Sequence, residues 1–280
     1  MNDLLANPAI QSGIIPFIVA LIAAWVFRRF GWYWSGLAFA LAYYISVYLT
    51  VGLQFTPLTS TRKILILGIA AIVIGLLLDF VKHLLVQKQR VVFGIFFIVG
   101  AAAISWIIWP VAVRQEGGAF WLMLLPSLLY TGWLTASSET QSEKADQGSM
   151  LALALGLGTG ISAMLGASAL IGQLGIAIGA IAGAYLILLL FKQDIKLGSN
   201  FMLPVGLLCG LLGIAAVIYA SLPWYSLIPL VAIPAVVHIP LSNELSKLKK
   251  LLLLASATLP LTIISIVITW MSMNSSESGY

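Results

Sequence analysis

The fold is decided by a long uncharged segment in the second half of the chain. It covers residues 147–191 and reads QGSMLALALGLGTGISAMLGASALIGQLGIAIGAIAGAYLILLLF, with the nearest charges on Asp146 and Lys192. A helix of these 45 residues would be about 68 Å long, whereas the hydrocarbon core of a bilayer is roughly 30 Å thick. The segment is therefore expected to cross a membrane twice, with its reversal near residues 166–168.

Glycines recur at intervals of four in both halves of this segment. Gly156 and Gly160 lie in the first half, and Gly175, Gly179 and Gly183 lie in the second. Residues four apart share one face of a helix, and small residues let helix backbones approach closely in lipid, where burial of apolar surface drives association only weakly. We therefore predict a strip of glycines on each helix and a hairpin that is the packing centre of the protein.

The composition excludes a soluble fold and several kinds of site. The chain is 61% hydrophobic and 8% charged, whereas soluble proteins average about 25% charged residues. Its net charge of +5 comes from basic residues scattered singly between apolar runs, so no nucleic-acid partner is expected. Cys209 is the sole cysteine, which excludes an internal disulfide and a thiolate metal site.

Ten apolar segments have the length that a membrane crossing needs. They cover residues 12–27, 33–54, 63–81, 91–113, 119–135, 149–166, 168–191, 201–221, 224–242 and 251–271. The sequence therefore predicts an all-α polytopic membrane bundle of about ten transmembrane helices, which forms a single transmembrane domain over residues 1–280.

The basic residues predict the orientation of this bundle. With the N-terminus outside, 11 Lys and Arg lie in cytoplasmic connections and 3 in outer ones, the bias expected of cytoplasmic loops. The first span ends in Arg28 and Arg29, the polarity of an uncleaved span and not of a signal peptide. We expect both termini outside and, because the loops are short, a bacterial plasma membrane.

Residues 136–148 form the one extended polar segment, rich in Ser, Glu and Gln. Such a composition is typical of a loop, so we predict a flexible cytoplasmic linker between halves 1–135 and 149–280. Five spans on each side would insert the halves in opposite senses, as in an inverted repeat. Five-plus-five spans can also arise without internal symmetry, and both alternatives stay open.

The sequence contains no recognisable catalytic or cofactor motif. It has two histidines, His83 and His238, and neither a P-loop nor a dinucleotide-binding glycine motif. We therefore expect no enzymatic activity, no cofactor and no metal. Asp79 precedes Lys82 by three residues near a helix end, which favours an exposed ion pair between them.

Two groups of residues are candidates for a substrate path. Tyr44 and Tyr48 share a face of the second span, and Gln173 lies one turn into the seventh. These polar groups should face other helices and not lipid. A structural role in bonding neighbouring helices is the alternative.

The second group lies on the ninth span and consists of Pro229, Pro234 and His238. Each proline removes a helical hydrogen bond, so we expect a kinked or unwound segment with freed carbonyls. Such backbone persists in a membrane where protein buries it or where it lines a wet cavity. An ordinary proline-kinked helix is the alternative.

These observations favour two functions. The first is a permease for a neutral or largely apolar small solute; the five-plus-five plan resembles drug/metabolite exporters in architecture alone, without that family's motifs. The second is a non-transporting structural subunit or assembly factor, in which the glycine strips dock a membrane-protein partner. The lipid bilayer is the expected environment in both cases.

Overall fold

The computed structural model describes residues 7–30, 34, 36–85, 89–191, 195–240 and 245–277. These residues form ten helices and no strand, which confirms the predicted all-α bundle. The helices are α1 (Ile10–Phe30), α2 (Leu37–Thr50), α3 (Ser60–Leu85), α4 (Gln89–Ala112), α5 (Gly118–Glu139), α6 (Ala145–Gly166), α7 (Ala169–Leu190), α8 (Ser199–Ala220), α9 (Trp224–Val237) and α10 (Lys247–Glu277).

Eight of the described helices are long and apolar enough to cross a membrane. The exceptions are α2 and α9; α2 has 14 residues and is therefore about 21 Å long, less than the hydrocarbon thickness. The α1 helix opens with a π-helical turn at Ile10–Ile14 and closes with a 3-10 turn at Arg28–Phe30. The apolar helices indicate a membrane location for the chain.

The α6–α7 hairpin reverses between Gly166 and Ala169, where its turn was expected. A Cβ atom placed on Gly156 would lie 2.4 Å from the backbone nitrogen of Gly179. One placed on Gly175 would lie 2.5 Å from the Cα of Gly160. The two backbones therefore touch along four of the five glycines.

Gly183 lies outside this close approach. A Cβ atom on Gly183 would have its nearest neighbours at 3.8 Å, in the side chains of Leu153 and Phe17. That distance is an ordinary van der Waals contact, so the strip on α7 ends at Gly179. The backbones of the hairpin have diverged by this point, one turn further along the helix.

The most buried helix is α8, and not either helix of the hairpin. Every residue from 199 to 216 is buried, and α8 packs against α3, α5, α6 and α7. Three glycines on this helix, Gly206, Gly210 and Gly213, allow α5 to lie close to it. The hairpin makes the most extensive contact between two helices, and α8, which packs against both of its helices, is the most buried single helix. The packing centre therefore includes α8 as well as the hairpin.

Eight of the 13 residues of the segment 136–148 lie in helices and eight are buried, so the prediction of an extended flexible linker is wrong. The α5 helix continues to Glu139, a turn covers residues 140–144, and α6 begins at Ala145. A fifth span of 17 residues would measure about 26 Å, and one further turn is needed to cross roughly 30 Å. The cytoplasmic location of residues 136–148, the division of the chain into two halves and the inverted repeat stay predictions.

Several connections between helices meet at one end of the bundle. The backbone N–H of Gly198, before α8, donates to the carbonyl of Ser142 at 3.0 Å. His238, at the end of α9, contacts the side chain of Thr140. Gly36, before α2, lies against Asn200. We call this end of the molecule, which carries the turn after α5, the 140–144 end.

Candidate functional site

A cavity of about 410 Å³ lies at the 140–144 end. Its apolar wall comes from α3, α4 and α5 and consists of Leu78, Val92, Phe93, Phe96 and Ala136. Its polar wall comes from the end of α5, the 140–144 turn, the start of α8 and the end of α9. The polar wall consists of Glu139, Thr140, Gln141, Ser142, Glu143, Lys144, Ser199 and His238.

The carboxylate of Glu139 and the hydroxyl of Ser199 join α5 to α8 at this cavity. Glu139 is the last residue of α5 and Ser199 is the first of α8. The Ser199 Oγ donates a hydrogen bond to the Glu139 Oε1. Glu139 is 5% exposed, and an ionisable group buried this deeply in a membrane protein marks a candidate functional site.

Asp79 lies behind Ser199 and caps the start of α8. Its Oδ1 accepts from the backbone N–H of Ser199 at 2.7 Å, and its Oδ2 accepts from that of Asn200 at 3.1 Å. Helix starts leave such N–H groups without intrahelical partners, and the helix dipole favours an anion there. Asp79 is 1% exposed, so the expectation that it lies at the surface is wrong, and its pairing with Lys82 falls outside the described residues.

The close approach of Asp79 requires glycine at position 198. Gly198 has φ +75°, which few other residues adopt. A Cβ atom at this position would lie 2.6 Å from the Asp79 Oδ2. The side chains of Lys82 and His83 lie outside the described part of the chain.

His238 connects the end of α9 to the rim of the cavity. Its Nδ1 contacts the carbonyl of Pro234, and its Nε2 lies 2.5 Å from the Thr140 Oγ1. A carbonyl can only accept, so Nδ1 carries a proton. The Thr140 hydroxyl donates its own proton to the carbonyl of Ser137 at 2.7 Å, and its oxygen contacts Nε2. His238 thus holds α9 against the 140–144 turn.

Gln141 is the polar residue of the wall with the least satisfied side chain. It is fully buried, and neither atom of its amide has a hydrogen-bond partner in the part of the chain that the structure describes. A buried amide without partners costs free energy. Gln141 is therefore available to bond a polar group that enters the cavity.

The two predicted tyrosines do not share an inward position. The Tyr44 hydroxyl donates to the carbonyl of Leu65 on α3 at 2.7 Å. Tyr48 is 63% exposed and lies on the outer surface, so the expectation that it faces other helices is wrong. The inward face of α2 is centred on Phe39, Tyr43 and Val47, and this face turns Tyr48 outward.

The ninth span was expected to be kinked or unwound; its residues 228–237 are not unwound, and the kink stays a prediction. Residues 228–237 form a continuous α-helix with Pro229 in its first turn and Pro234 inside it. Proline in a first turn leaves the helix intact, because a backbone N–H at this position would have no intrahelical partner. Near Pro234, the Val231 carbonyl accepts from the Trp133 Nε1 of α5 at 3.0 Å.

Among the six predicted path residues, His238 alone lines the cavity. Gln173 is partly exposed on α7, and Tyr44, Tyr48, Pro229 and Pro234 lie elsewhere. Glu139 and Ser199 were missed, because Glu139 was assigned to a loop. Within the residues described, no three His, Cys, Asp or Glu side chains are grouped so that they could hold a metal ion.

Comparison with known proteins adds no functional assignment to this geometry. Neither a protein-family model nor a curated protein sequence matches the chain. The function is therefore inferred from the cavity and its walls.

Proposed function

We propose that the protein is a permease for a small, largely apolar solute with a neutral, hydrogen-bonding head group. The observation that carries this proposal is the cavity of about 410 Å³ at the 140–144 end. Its volume lies within the range of roughly 300–1,000 Å³ that is typical of small-molecule sites. A bacterial plasma membrane location, with this end in the cytoplasm, is part of the proposal.

The two walls of the cavity define the class of solute. Leu78, Phe93 and Phe96 would cover an apolar body, since burial of apolar surface favours binding. On the opposite wall, Gln141 carries an unbonded amide, and the hydroxyl oxygens of Ser199 and Thr140 can accept, since their protons are donated to Glu139 and to the Ser137 carbonyl. Glu139, Glu143 and Lys144 put two acidic groups and one basic group at the cavity. The Glu139 carboxylate is bonded by Ser199 and the other two charges have opposite signs, so the wall does not favour a strongly charged solute.

The rival function, a structural subunit that docks a partner through its glycine strips, loses its main support. Gly156, Gly160, Gly175 and Gly179 lie against one another within the hairpin. These glycines therefore present no free strip to a second protein. We retain the permease as the better-supported function and propose no enzymatic activity.

Binding to the purified full-length protein tests the proposal. The probes are primary alcohols and primary carboxamides of increasing chain length, with primary amines as a charged comparison series. We expect alcohols or carboxamides to raise the melting temperature in detergent, because a ligand that binds only the folded state stabilises it. Gln141→Ala should weaken this shift, whereas the exposed Gln115→Ala should leave it unchanged.

Uptake of the best ligand into proteoliposomes then separates a permease from a binding protein. Saturable uptake that Gln141→Ala reduces would support transport. Saturable binding without uptake would overturn transport, and stabilisation by amines alone would overturn the neutral head group. A complete lack of stabilisation across the three series would show that the cavity is not a solute site.

A further inference from the structure

The contact between α5 and α8 pairs hydroxyl-bearing residues with glycines. A Cβ atom on Gly206 would lie 2.6 Å from the Ser138 Oγ, and one on Gly210 would lie 2.9 Å from the Thr131 Cγ2. At the third position, a Cβ atom on Gly213 would lie 3.1 Å from the Tyr130 hydroxyl. We call these six residues the α5–α8 seam.

Two hydroxyls of the seam are buried and make no hydrogen bond. Ser138 and Thr131 are fully buried, and neither hydroxyl has a partner within the residues that the structure describes. The hydroxyl of Tyr130, a residue that is 7% exposed, faces that of Thr159 on α6, which can bond it. Leaving such groups without partners in a dry interior costs free energy.

Other hydroxyls on the same helix avoid this cost. Thr135 donates to the carbonyl of Thr131 at 2.7 Å, and Ser127 donates to that of Met123 at 2.6 Å. Bonding to the carbonyl four residues earlier is therefore available on α5. Ser138 and Thr131 do not make this bond and lie against the glycines of α8. Ser137, also on α5, likewise lacks a partner among the described residues but does not belong to the seam.

The seam begins beside the cavity. Ser138 precedes Glu139, which lines the cavity. From Ser138 to Tyr130 the seam runs for about 12 Å along the helix axis, away from the 140–144 end. It therefore extends from the level of the cavity wall towards the opposite end of the bundle, against the most buried helix.

We propose that the α5–α8 seam is the closed part of the permeation path. When α5 moves away from α8, water or the head group of the solute bonds the hydroxyls of Ser138, Thr131 and Tyr130. Glycines favour such a movement, because no side chain of α8 interlocks with α5 at these positions. The seam offers hydroxyls and no charged group, so the solute that passes is neutral. This inference rests on the proposed permease function.

Cysteine reactivity tests the seam without requiring a known solute. Single cysteines are introduced by Ser138→Cys and Thr131→Cys in a Cys209→Ala background, and membranes are treated with iodoacetamide. The matched control is Thr135→Cys, which is equally buried on the same helix but faces Gly100 of α4. We expect both seam cysteines to react roughly tenfold faster than the control, because transient opening exposes them.

Three further outcomes separate the possible failures. Seam cysteines as slow as Thr135→Cys would overturn the inference while leaving the cavity intact. An unreactive Thr140→Cys, at the exposed rim, would count against the proposed permease itself. Thr131→Val removes an unbonded hydroxyl and keeps the shape of the side chain, so we expect the melting temperature to rise by roughly 1 to 3 °C. A clear fall would show that this hydroxyl is bonded in the closed state and would overturn the inference.

Discussion

The carboxylate of Asp79 accepts a hydrogen bond of 2.7 Å from the backbone N–H of Ser199. This contact joins the end of α3 to the first residue of α8, the most buried helix of the bundle. The Ser199 hydroxyl in turn donates to Glu139. The position of the polar wall of the cavity therefore depends on a cap that lies behind it.

We predict that Asp79→Asn destabilises the protein by about 1–2 kcal/mol, because it removes an anion from the start of a helix and turns an amide donor towards a backbone N–H. The melting temperature in detergent should fall by a few degrees. The control is Glu116→Gln, an exposed acid in the connection between α4 and α5. Equal melting temperatures for both variants would show that the cap contributes nothing.

A second prediction concerns the glycines of the hairpin. In Gly156→Ala the new Cβ would lie 2.4 Å from a backbone nitrogen, so the helices must separate at a cost of about 1–3 kcal/mol or more. Gly183→Ala makes the matched control, because its Cβ would have no neighbour closer than 3.8 Å. We expect the yield of folded protein to fall for Gly156→Ala alone. Similar losses for both would contradict close packing along the strip.

Eight spans were predictable from the sequence because length and apolar composition suffice to recognise a membrane span. The second and ninth predicted spans are also helical, but α2 and α9 are shorter than the other eight, so ten crossings stay a prediction. The hairpin reversal followed from the same arithmetic, since 45 uncharged residues exceed one crossing. The spacing of apolar residues within each span did not predict which face of the helix contacts lipid. Lipid and neighbouring helices are both apolar, so the pattern did not show that Tyr48 faces outward.

The cavity was not predictable, because six of its eight polar residues were assigned to a loop. Ser and Glu in residues 136–139 resemble a linker in composition, although the fifth span was one turn too short. Thr131, Thr135 and Ser138 recur at helical spacing across that boundary, a signal that the helix continues. The cap by Asp79 depends on residues about 120 positions apart, and no local pattern predicts it.

A third prediction separates the two tyrosines of α2. Tyr44→Phe removes a hydrogen bond to the Leu65 carbonyl and should cost about 1 kcal/mol of stability. Tyr48→Phe changes an exposed side chain and should cost little. Because neither residue lines the cavity, stabilisation by alcohols or carboxamides should survive both changes. Loss of that stabilisation in Tyr44→Phe would return Tyr44 to the substrate path.

The last prediction concerns the orientation of the bundle in the membrane. The connections assigned to the cytoplasm carry 11 basic residues and the outer connections carry 3. Glu143→Cys lies at the 140–144 end, and Gln115→Cys lies in the connection between α4 and α5; both positions are exposed. In a Cys209→Ala background, a membrane-impermeant maleimide added to intact cells should label Gln115→Cys at once. It should label Glu143→Cys only after the cells are permeabilised.

The reverse pattern would put the cavity on the outer side, so that the permease would take up its solute from outside in the state described. Labelling of both cysteines in intact cells would instead contradict the alternation of spans on which the orientation rests.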